Sequence, residues 1–162
     1  MAFLIVVLTF GMETAFFRFY DKKDEAKSAV VYSVAMKSLM VVGVLFVILM
    51  NIFAQPIATH IRYADHPEYI SMFAFLIAID AVTTVPFARL RALNRPQLFA
   101  MLKVGNILVN VILNVVFLYL FPYMIQHNIM ASAVAAIYNP AIGVGYIFIA
   151  NLVASALTLL AL

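Results

Sequence analysis

The sequence contains no cysteine, and only 10% of its 162 residues are charged. Without cysteine, the chain forms no disulfide, no thiolate metal site and no cysteine nucleophile. A soluble surface needs more charge than this, since about a quarter of the residues of a typical globular domain are charged. Hydrophobic residues make up 67% of the chain, and the mean hydropathy is +1.09. These values predict an integral membrane protein.

The sequence motifs of common enzymes are also missing. The chain has no HExxH, GxSxG, P-loop or GxGxxG pattern. Its three histidines, His60, His66 and His127, lack the spacing of metal ligands. We therefore expect no enzymatic activity, no bound metal and no cofactor.

Five apolar segments are long enough to cross a bilayer. A hydrocarbon core of about 30 Å needs roughly 20 apolar residues per helix, and such runs occur at 2–20, 30–54, 69–90, 98–123 and 142–162. The runs are continuous rather than alternating, which favours helices over the strands of a membrane barrel. The sequence predicts an all-α fold, a polytopic transmembrane helical bundle with five spans. The first run has no small-residue cleavage site, so we expect it to be retained rather than removed as a signal peptide.

Nine of the ten lysines and arginines fall in two patches. These are Arg18, Lys22, Lys23, Lys27, Lys37, Arg89, Arg91, Arg95 and Lys103. Threading the five spans alternately puts both patches on one side of the membrane and Arg62 on the other. Cytoplasmic loops are enriched in Lys and Arg, so the patches predict the cytoplasmic side. The basic pI of about 9.3 then reflects topology and contact with anionic membrane lipids, and we expect no nucleic-acid partner.

Two acidic residues, Glu13 and Asp80, lie inside apolar runs. A charge at the bilayer centre costs roughly 2.5 to 3.5 kcal/mol on insertion scales, so each is expected to face a bundle interior or a wet cavity. Helical spacing places Asp80 on one face of its span with Thr84, Phe87 and Arg91. Two interpretations stay open for these acids. They are structural groups paired with a neighbouring hydroxyl or amide, or they couple transport to protons or sodium ions.

A polar stripe runs along the fourth span. It consists of Lys103, Asn106, Asn110 and Asn114, at steps of three, four and four residues. The asparagines either hydrogen-bond neighbouring helices or line a hydrophilic pathway.

A purely basic loop precedes this span and contains Arg89, Arg91 and Arg95. These arginines either orient the chain or attract an anionic group at the cytoplasmic entrance, since Arg suits bidentate contacts to phosphate.

Three stretches of the chain resemble polysaccharide-biosynthesis membrane proteins of the flippase type, in the multidrug/oligosaccharidyl-lipid/polysaccharide exporter superfamily. The run from Leu8 to Phe19 is similar to the end of their second helix. Asp80-Ala81, the run Pro86 to Arg91, Asn94-Arg95-Pro96, Phe99 and the polar stripe are similar to their fourth and fifth helices. Gly143-Val144-Gly145-Tyr146 with Asn151-Leu152 is similar to their sixth helix.

The resemblance implies a parent protein of 12–14 helices in two bundles, located in the bacterial cytoplasmic (inner) membrane. Such a parent moves an undecaprenyl-diphosphate-linked oligosaccharide to the periplasmic leaflet and works beside glycan polymerases or glycosyltransferases. This chain then corresponds to helices two to six, a fragment of the N-terminal bundle that is not expected to transport alone. A cation-coupled multidrug exporter, a peptidoglycan-precursor flippase and a non-transporting membrane subunit stay open as alternatives.

Overall fold

The computed structural model describes residues 2–21, 24–62, 65–127, 138–139 and 142–162. Lys22 and Lys23 of the first basic patch lie outside these ranges. All regular structure within them is helical, so the all-α prediction is confirmed for the described residues. The helices are α1 (Ala2–Thr9), α2 (Met12–Phe19), α3 (Glu25–Ile52), α4 (Ala54–His60), α5 (Glu68–Ala92), α6 (Pro96–Val115), α7 (Phe121–Gln126) and α8 (Gly145–Ala161). A π-helical turn, Val116–Leu120, joins α6 to α7.

Three helical segments in the described ranges are long and apolar enough to cross a membrane. They are α3, α5 and the continuous segment Pro96–Gln126, which comprises α6, the π-helical turn and α7. These segments match the second, third and fourth predicted spans. The other two predicted spans form shorter helices, because 2–20 is divided into α1 and α2 and 142–162 contains the 17-residue α8. A helix of 17 residues rises about 26 Å, slightly less than the hydrocarbon core.

The division of the first apolar run lies at Phe10 and Gly11. Both residues have left-handed backbone angles, with φ of 46° and 66°, and a right-handed helix does not continue through them. Glycine takes this conformation without the strain that a Cβ atom causes. The Thr9 hydroxyl donates a 3.1 Å hydrogen bond to the Val6 carbonyl, which satisfies one acceptor at the end of α1. The run is therefore apolar enough for a span, yet its backbone turns near the middle.

The central helix of the described fold is α5, and two apolar clusters hold its neighbours against it. One cluster joins Phe16 of α2 to Leu39 of α3 and Val85 of α5. The other joins Leu8 of α1 to Ile77 of α5. Helix α6 has no buried residue and packs mainly along α8. The fold is thus dense around α5 and open along α6.

Arg89 and Arg91 of the second patch lie in the last turn of α5, beside the start of α3. The Arg89 guanidinium lies 4.7 Å from the centroid of the Tyr32 ring, in the first third of α3. Arg91 pairs with Glu13 of α2. Arg62 follows α4, beyond the opposite end of α3. Helices α3 and α5 therefore run antiparallel, and Arg89 and Arg62 lie toward opposite ends of α3.

Gly145, the first residue of α8, has no room for a side chain. A Cβ atom there meets Ile142 Cγ2 at 2.8 Å and Tyr69 Cε1 at 2.9 Å. The Tyr69 hydroxyl donates a 2.8 Å hydrogen bond to the Ile142 carbonyl, so the ring is held in place. We expect Gly145→Ala to lower the free energy of unfolding by about 1 to 3 kcal/mol, the usual cost of overpacking. Thermal unfolding in detergent, followed by circular dichroism, measures the loss.

Gly105 of α6 supplies the matched control, because a Cβ atom there meets no atom within 4 Å. Gly105→Ala is expected to leave stability unchanged or to raise it, since alanine is the better helix former by up to about 1 kcal/mol. Equal losses for the two variants would contradict the close approach at Gly145.

Candidate functional site

A polar cavity opens between α2, α5, α6 and α8. Its volume is about 320 Å³, and ten of its thirteen lining side chains are polar or charged. The three apolar ones are Ile5, Phe87 and Phe99. Polar groups are costly in a bilayer, so helices of a membrane protein turn them toward such an interior space. This polar cavity is the candidate functional site.

Asp80 lines the cavity from the middle of α5. The Ser155 hydroxyl of α8 donates a 2.8 Å hydrogen bond to its Oδ1, which is the pairing that the structural interpretation expects. Among the described residues, Ser155 is the one side chain that hydrogen-bonds this carboxylate. A carboxylate offers about four acceptor positions. Asp80 therefore keeps capacity for a proton, a cation or water.

The predicted polar face of α5 lies on this cavity. Thr84, Phe87 and Arg91 line it together with Asp80. The hydroxyls of Thr83 and Thr84 donate to the Asp80 carbonyl at 2.8 and 3.2 Å. These local bonds use the donor hydrogen of each threonine hydroxyl and leave its oxygen able to accept.

Glu13 reaches the cavity from the first turn of α2 and forms an ion pair with Arg91 of α5. Arg91 Nη2 and Glu13 Oε1 are 2.6 Å apart, and the two side chains are 41% and 36% exposed. The Arg91 guanidinium also lies 5.7 Å from the centroid of the Phe17 ring and 5.5 Å from that of Phe99. Sequence reasoning selected both charged residues but did not pair them. The pair joins α2 to α5 beside the cavity.

A second cation, Lys103 of α6, lies close to Arg91's aromatic neighbours. Its Nζ atom is 4.6 Å from the centroid of the Phe87 ring, and Phe87 packs edge to face on Phe99 at 5.3 Å. Such cation–π contacts hold a cation without neutralising it. The cavity therefore contains two acidic and two basic side chains, with one cation already paired to Glu13.

The asparagine stripe of α6 faces α8. Asn106 Nδ2 donates to Thr158 Oγ1 at 2.9 Å, and Asn110 Nδ2 donates to Asn151 Oδ1. Asn114 Nδ2 donates to the Asn110 carbonyl at 2.8 Å. The bonds of Asn106 and Asn110 match the interpretation in which asparagines link helices, whereas the bond from Asn114 stays within α6. Asn106 also lines the polar cavity, so this residue fits both interpretations of the stripe. Asn110 and Asn114 are not among the lining residues.

The structure separates the three arginines that the sequence grouped at an entrance. Arg91 lines the polar cavity, whereas Arg89 lines a different pocket against the start of α3. Arg95 lies at the turn before α6, in a pocket formed by its own loop. Two residues along a helix are about 200° apart, so Arg89 and Arg91 point to opposite sides of α5. Only Arg91 of the three contributes to the candidate site.

Sequence reasoning missed the contribution of α8. Asn151, Ser155 and Thr158 all line the cavity, and each forms a hydrogen bond across to α5 or α6. Their steps of four and three residues within an apolar run are the spacing of one helix face. This is the same signal that identified the stripe on α6.

No group of three or more His, Asp or Glu side chains in the described ranges is arranged to hold a metal ion. Comparison with protein-family models, with curated proteins and with solved structures finds no match. Function is therefore inferred from the chemistry of the polar cavity and from the resemblance of the sequence motifs.

Proposed function

We propose that the chain is the N-terminal bundle, helices two to six, of an oligosaccharide flippase of the multidrug/oligosaccharidyl-lipid/polysaccharide exporter superfamily. In this proposal α1 and α2 together form the first span, and α8 forms the fifth. The other three spans are the segments that are long enough to cross a membrane. The parent protein moves an undecaprenyl-diphosphate-linked oligosaccharide across the bacterial cytoplasmic membrane. The polar cavity is the observation that most supports this, because ten polar side chains gather in it on helices that are otherwise largely apolar, where polar groups are costly.

The proposed mechanism is alternating access, in which the substrate binds near the middle of the membrane and one bundle rocks against the other. The hydroxyls and amides of Thr84, Asn106 and Thr158 suit the hydroxyl groups of a sugar. Lys103 and Arg91 suit the negative diphosphate, while the isoprenoid tail stays in the lipid.

Arg91 and Glu13 connect substrate binding to ion coupling in this scheme. Their ion pair is partly exposed, so a diphosphate can compete with the Glu13 carboxylate for the guanidinium. Arg91 then exchanges one charge-assisted partner for another. Glu13 loses its counter-ion in this step and becomes ready to take up a proton or a sodium ion, with Asp80 as the second acid of the cavity.

The polar lining also bears on the alternatives. A multidrug exporter of the same superfamily needs a more apolar and aromatic cavity than this one, in which three of the thirteen lining residues are apolar. A peptidoglycan-precursor flippase moves a related isoprenoid diphosphate, so it shares the proposed chemistry and differs in the sugar. A non-transporting subunit needs no cavity cations, and substitution of those cations separates it from a transporter.

Lys103→Gln provides that test in the gene product that contains this chain. We expect the transport rate to fall by about tenfold or more, because one charge-assisted contact to the diphosphate is lost. The assay uses proteoliposomes with a fluorescent lipid-linked oligosaccharide and measures how fast its sugar becomes accessible to an external lectin.

Lys37→Gln is the matched control, because Lys37 is an exposed lysine of α3 that does not line the cavity. It is expected to transport at the original rate. If Lys103→Gln also transports at the original rate, the proposed pathway along Lys103 is wrong. Absence of transport by the unsubstituted gene product would favour the non-transporting subunit.

A further inference from the structure

A groove runs along the seam between α3 and α5, between residues 40–48 of the first helix and 75–82 of the second. Its volume is about 400 Å³, and all ten residues that line it are apolar. Gly43 and Ala78 form its floor, because both are buried and a Cβ atom at Gly43 would lie only 3.5 Å from the Ala78 Cβ. The exposed side chains of Val44 and Phe75 form its walls. We call it the seam groove.

The seam groove covers the depth of one membrane leaflet. Helices α3 and α5 are long and apolar enough to cross a bilayer, and the end of α3 lies beside the start of α5. From Ser71, near the start of α5, to Val82 at the inner end of the groove, the helix rises about 16 Å. This is about half of the 30 Å hydrocarbon core. The groove therefore extends from near one membrane surface to the middle of the bilayer.

Leu159 of α8 bounds the inner end of the groove. Helix α8 runs parallel to α5, since hydrogen bonds join Tyr69 to Ile142 near the two helix starts and Asp80 to Ser155 further along. Leu159 lies one turn beyond Ser155 and lines the groove. It is therefore level with the inner end of the groove, near the middle of the membrane.

A polar pair lies one helical turn beyond the outer end of the groove. The Ser71 hydroxyl donates a 2.8 Å hydrogen bond to Asn51 Oδ1 and joins α5 to α3 along the same seam. Asn51 follows Val47 by four residues and Ser71 precedes Phe75 by four, so both continue the helix faces that line the groove. Asn51 Nδ2 donates one of its two hydrogens to the Val47 carbonyl at 2.8 Å. In the described part of the chain no acceptor takes the other.

We propose that the seam groove holds one acyl chain of a membrane phospholipid, whose ester carbonyl accepts a hydrogen bond from Asn51 Nδ2. A hydrocarbon chain suits a lining without polar side chains, and the depth of one leaflet suits its length. The ester carbonyl lies where the chain meets the headgroup region, at the ends of the spanning helices where Asn51 and Ser71 are found. Ala78 of the groove and Asp80 of the polar cavity are about 200° apart on α5. The proposal therefore does not depend on what the polar cavity transports.

The chain contains no tryptophan, so one introduced tryptophan reports on its own surroundings. Phe75→Trp places an indole in the groove wall, and Leu45→Trp is the matched control, because Leu45 is an exposed residue of α3 that does not line the groove. Each purified chain is titrated in detergent with phosphatidylcholine brominated on its acyl chains, which quenches tryptophan on contact. We expect half-maximal quenching of Phe75→Trp at about tenfold lower lipid concentration than that of Leu45→Trp. Equal quenching would show an exchanging lipid shell only and would overturn the proposal.

Filling the groove is expected to remove this difference. Val44→Phe, added to Phe75→Trp, enlarges a groove wall and is expected to raise the half-quenching concentration to that of the Leu45→Trp control. Val41→Phe is its matched control, because Val41 is exposed on α3 and does not line the groove. Circular dichroism checks that both variants keep their helix content. Unchanged quenching in a folded Val44→Phe variant would overturn the groove as the binding site.

Competition by unlabelled lipids tests the carbonyl contact without a second substitution. Dioleoyl phosphatidylcholine is expected to displace the brominated lipid from Phe75→Trp at about fivefold lower concentration than its dialkyl ether analogue, which lacks the ester carbonyl. Equal displacement by the two lipids would overturn the role of Asn51. Displacement by a polyprenyl phosphate at lower concentration than either would assign the groove to an isoprenoid chain instead. Loss of quenching as the chain dimerises, followed by analytical ultracentrifugation, would assign it to a second copy and also overturn the proposal.

Discussion

In the gene product that contains this chain, Asp80→Asn is expected to slow transport about 5- to 150-fold. This fold-change corresponds to a typical coupling free energy of about 1 to 3 kcal/mol. Asparagine has nearly the same size and keeps an oxygen that accepts the hydrogen bond from Ser155, so the contact between α5 and α8 is retained. It has no charge and does not take up a proton or balance Lys103. The substitution therefore removes the chemistry of the acid while leaving its packing in place.

The measurement is the rate of lipid-linked oligosaccharide transport with and without a proton or sodium gradient. The original protein is expected to respond to one of these gradients, and Asp80→Asn is expected to transport slowly and without a response. Ser155→Ala is the matched control, because it removes the hydrogen bond and keeps the carboxylate. Transport at the original rate in Asp80→Asn would show that Asp80 is a structural acid.

Phe16→Ala is expected to cause the largest loss of stability. Phe16 is 1% exposed and lies in the cluster that joins α2 to α3 and α5. Truncating a buried phenylalanine costs about 3 to 5 kcal/mol, because apolar contacts are lost and a cavity remains. Phe16 also anchors the short helix that presents Glu13 to Arg91. We therefore expect the variant to lose the ion pair as well as the packing.

Thermal unfolding in detergent, followed by circular dichroism, measures the effect of Phe16→Ala. Phe19→Ala is the matched control on the same helix, since Phe19 is 57% exposed, and it is expected to change stability by less than about 0.5 kcal/mol. Similar losses in both variants would contradict the anchoring role of Phe16.

Much of the helical pattern could be predicted from the sequence because membrane-length apolar runs have few alternatives to helix. The face of α5 that contains Asp80 and Arg91 followed from helical spacing alone, and it lines the cavity. The break near Gly11 did not follow, because a single glycine inside a largely apolar run does not by itself indicate a turn. A left-handed φ at this glycine is a local backbone property that a hydropathy pattern does not encode.

The contacts between helices were harder to predict than the helices themselves. Pairing with a hydroxyl or an amide was one of the two interpretations of Asp80, yet the sequence did not indicate that Ser155 is the partner. The ion pair between Glu13 and Arg91 depends on which face α2 turns toward α5, and the burial of Phe16 decides that face. Arg89 and Arg91 line different pockets for a simpler reason, since residues two apart on a helix point to opposite sides.

The hydrogen bond between Asp80 and Ser155 has a consequence for biosynthesis. The two residues are 75 positions apart in the chain, and ribosomes add about 5 to 20 residues per second, so the partner of Asp80 emerges roughly 4 to 15 s later. Asp80 is therefore made well before the hydroxyl that donates to it. The polar cavity, whose wall includes Asn151, Ser155 and Thr158, is complete only once α8 has been made.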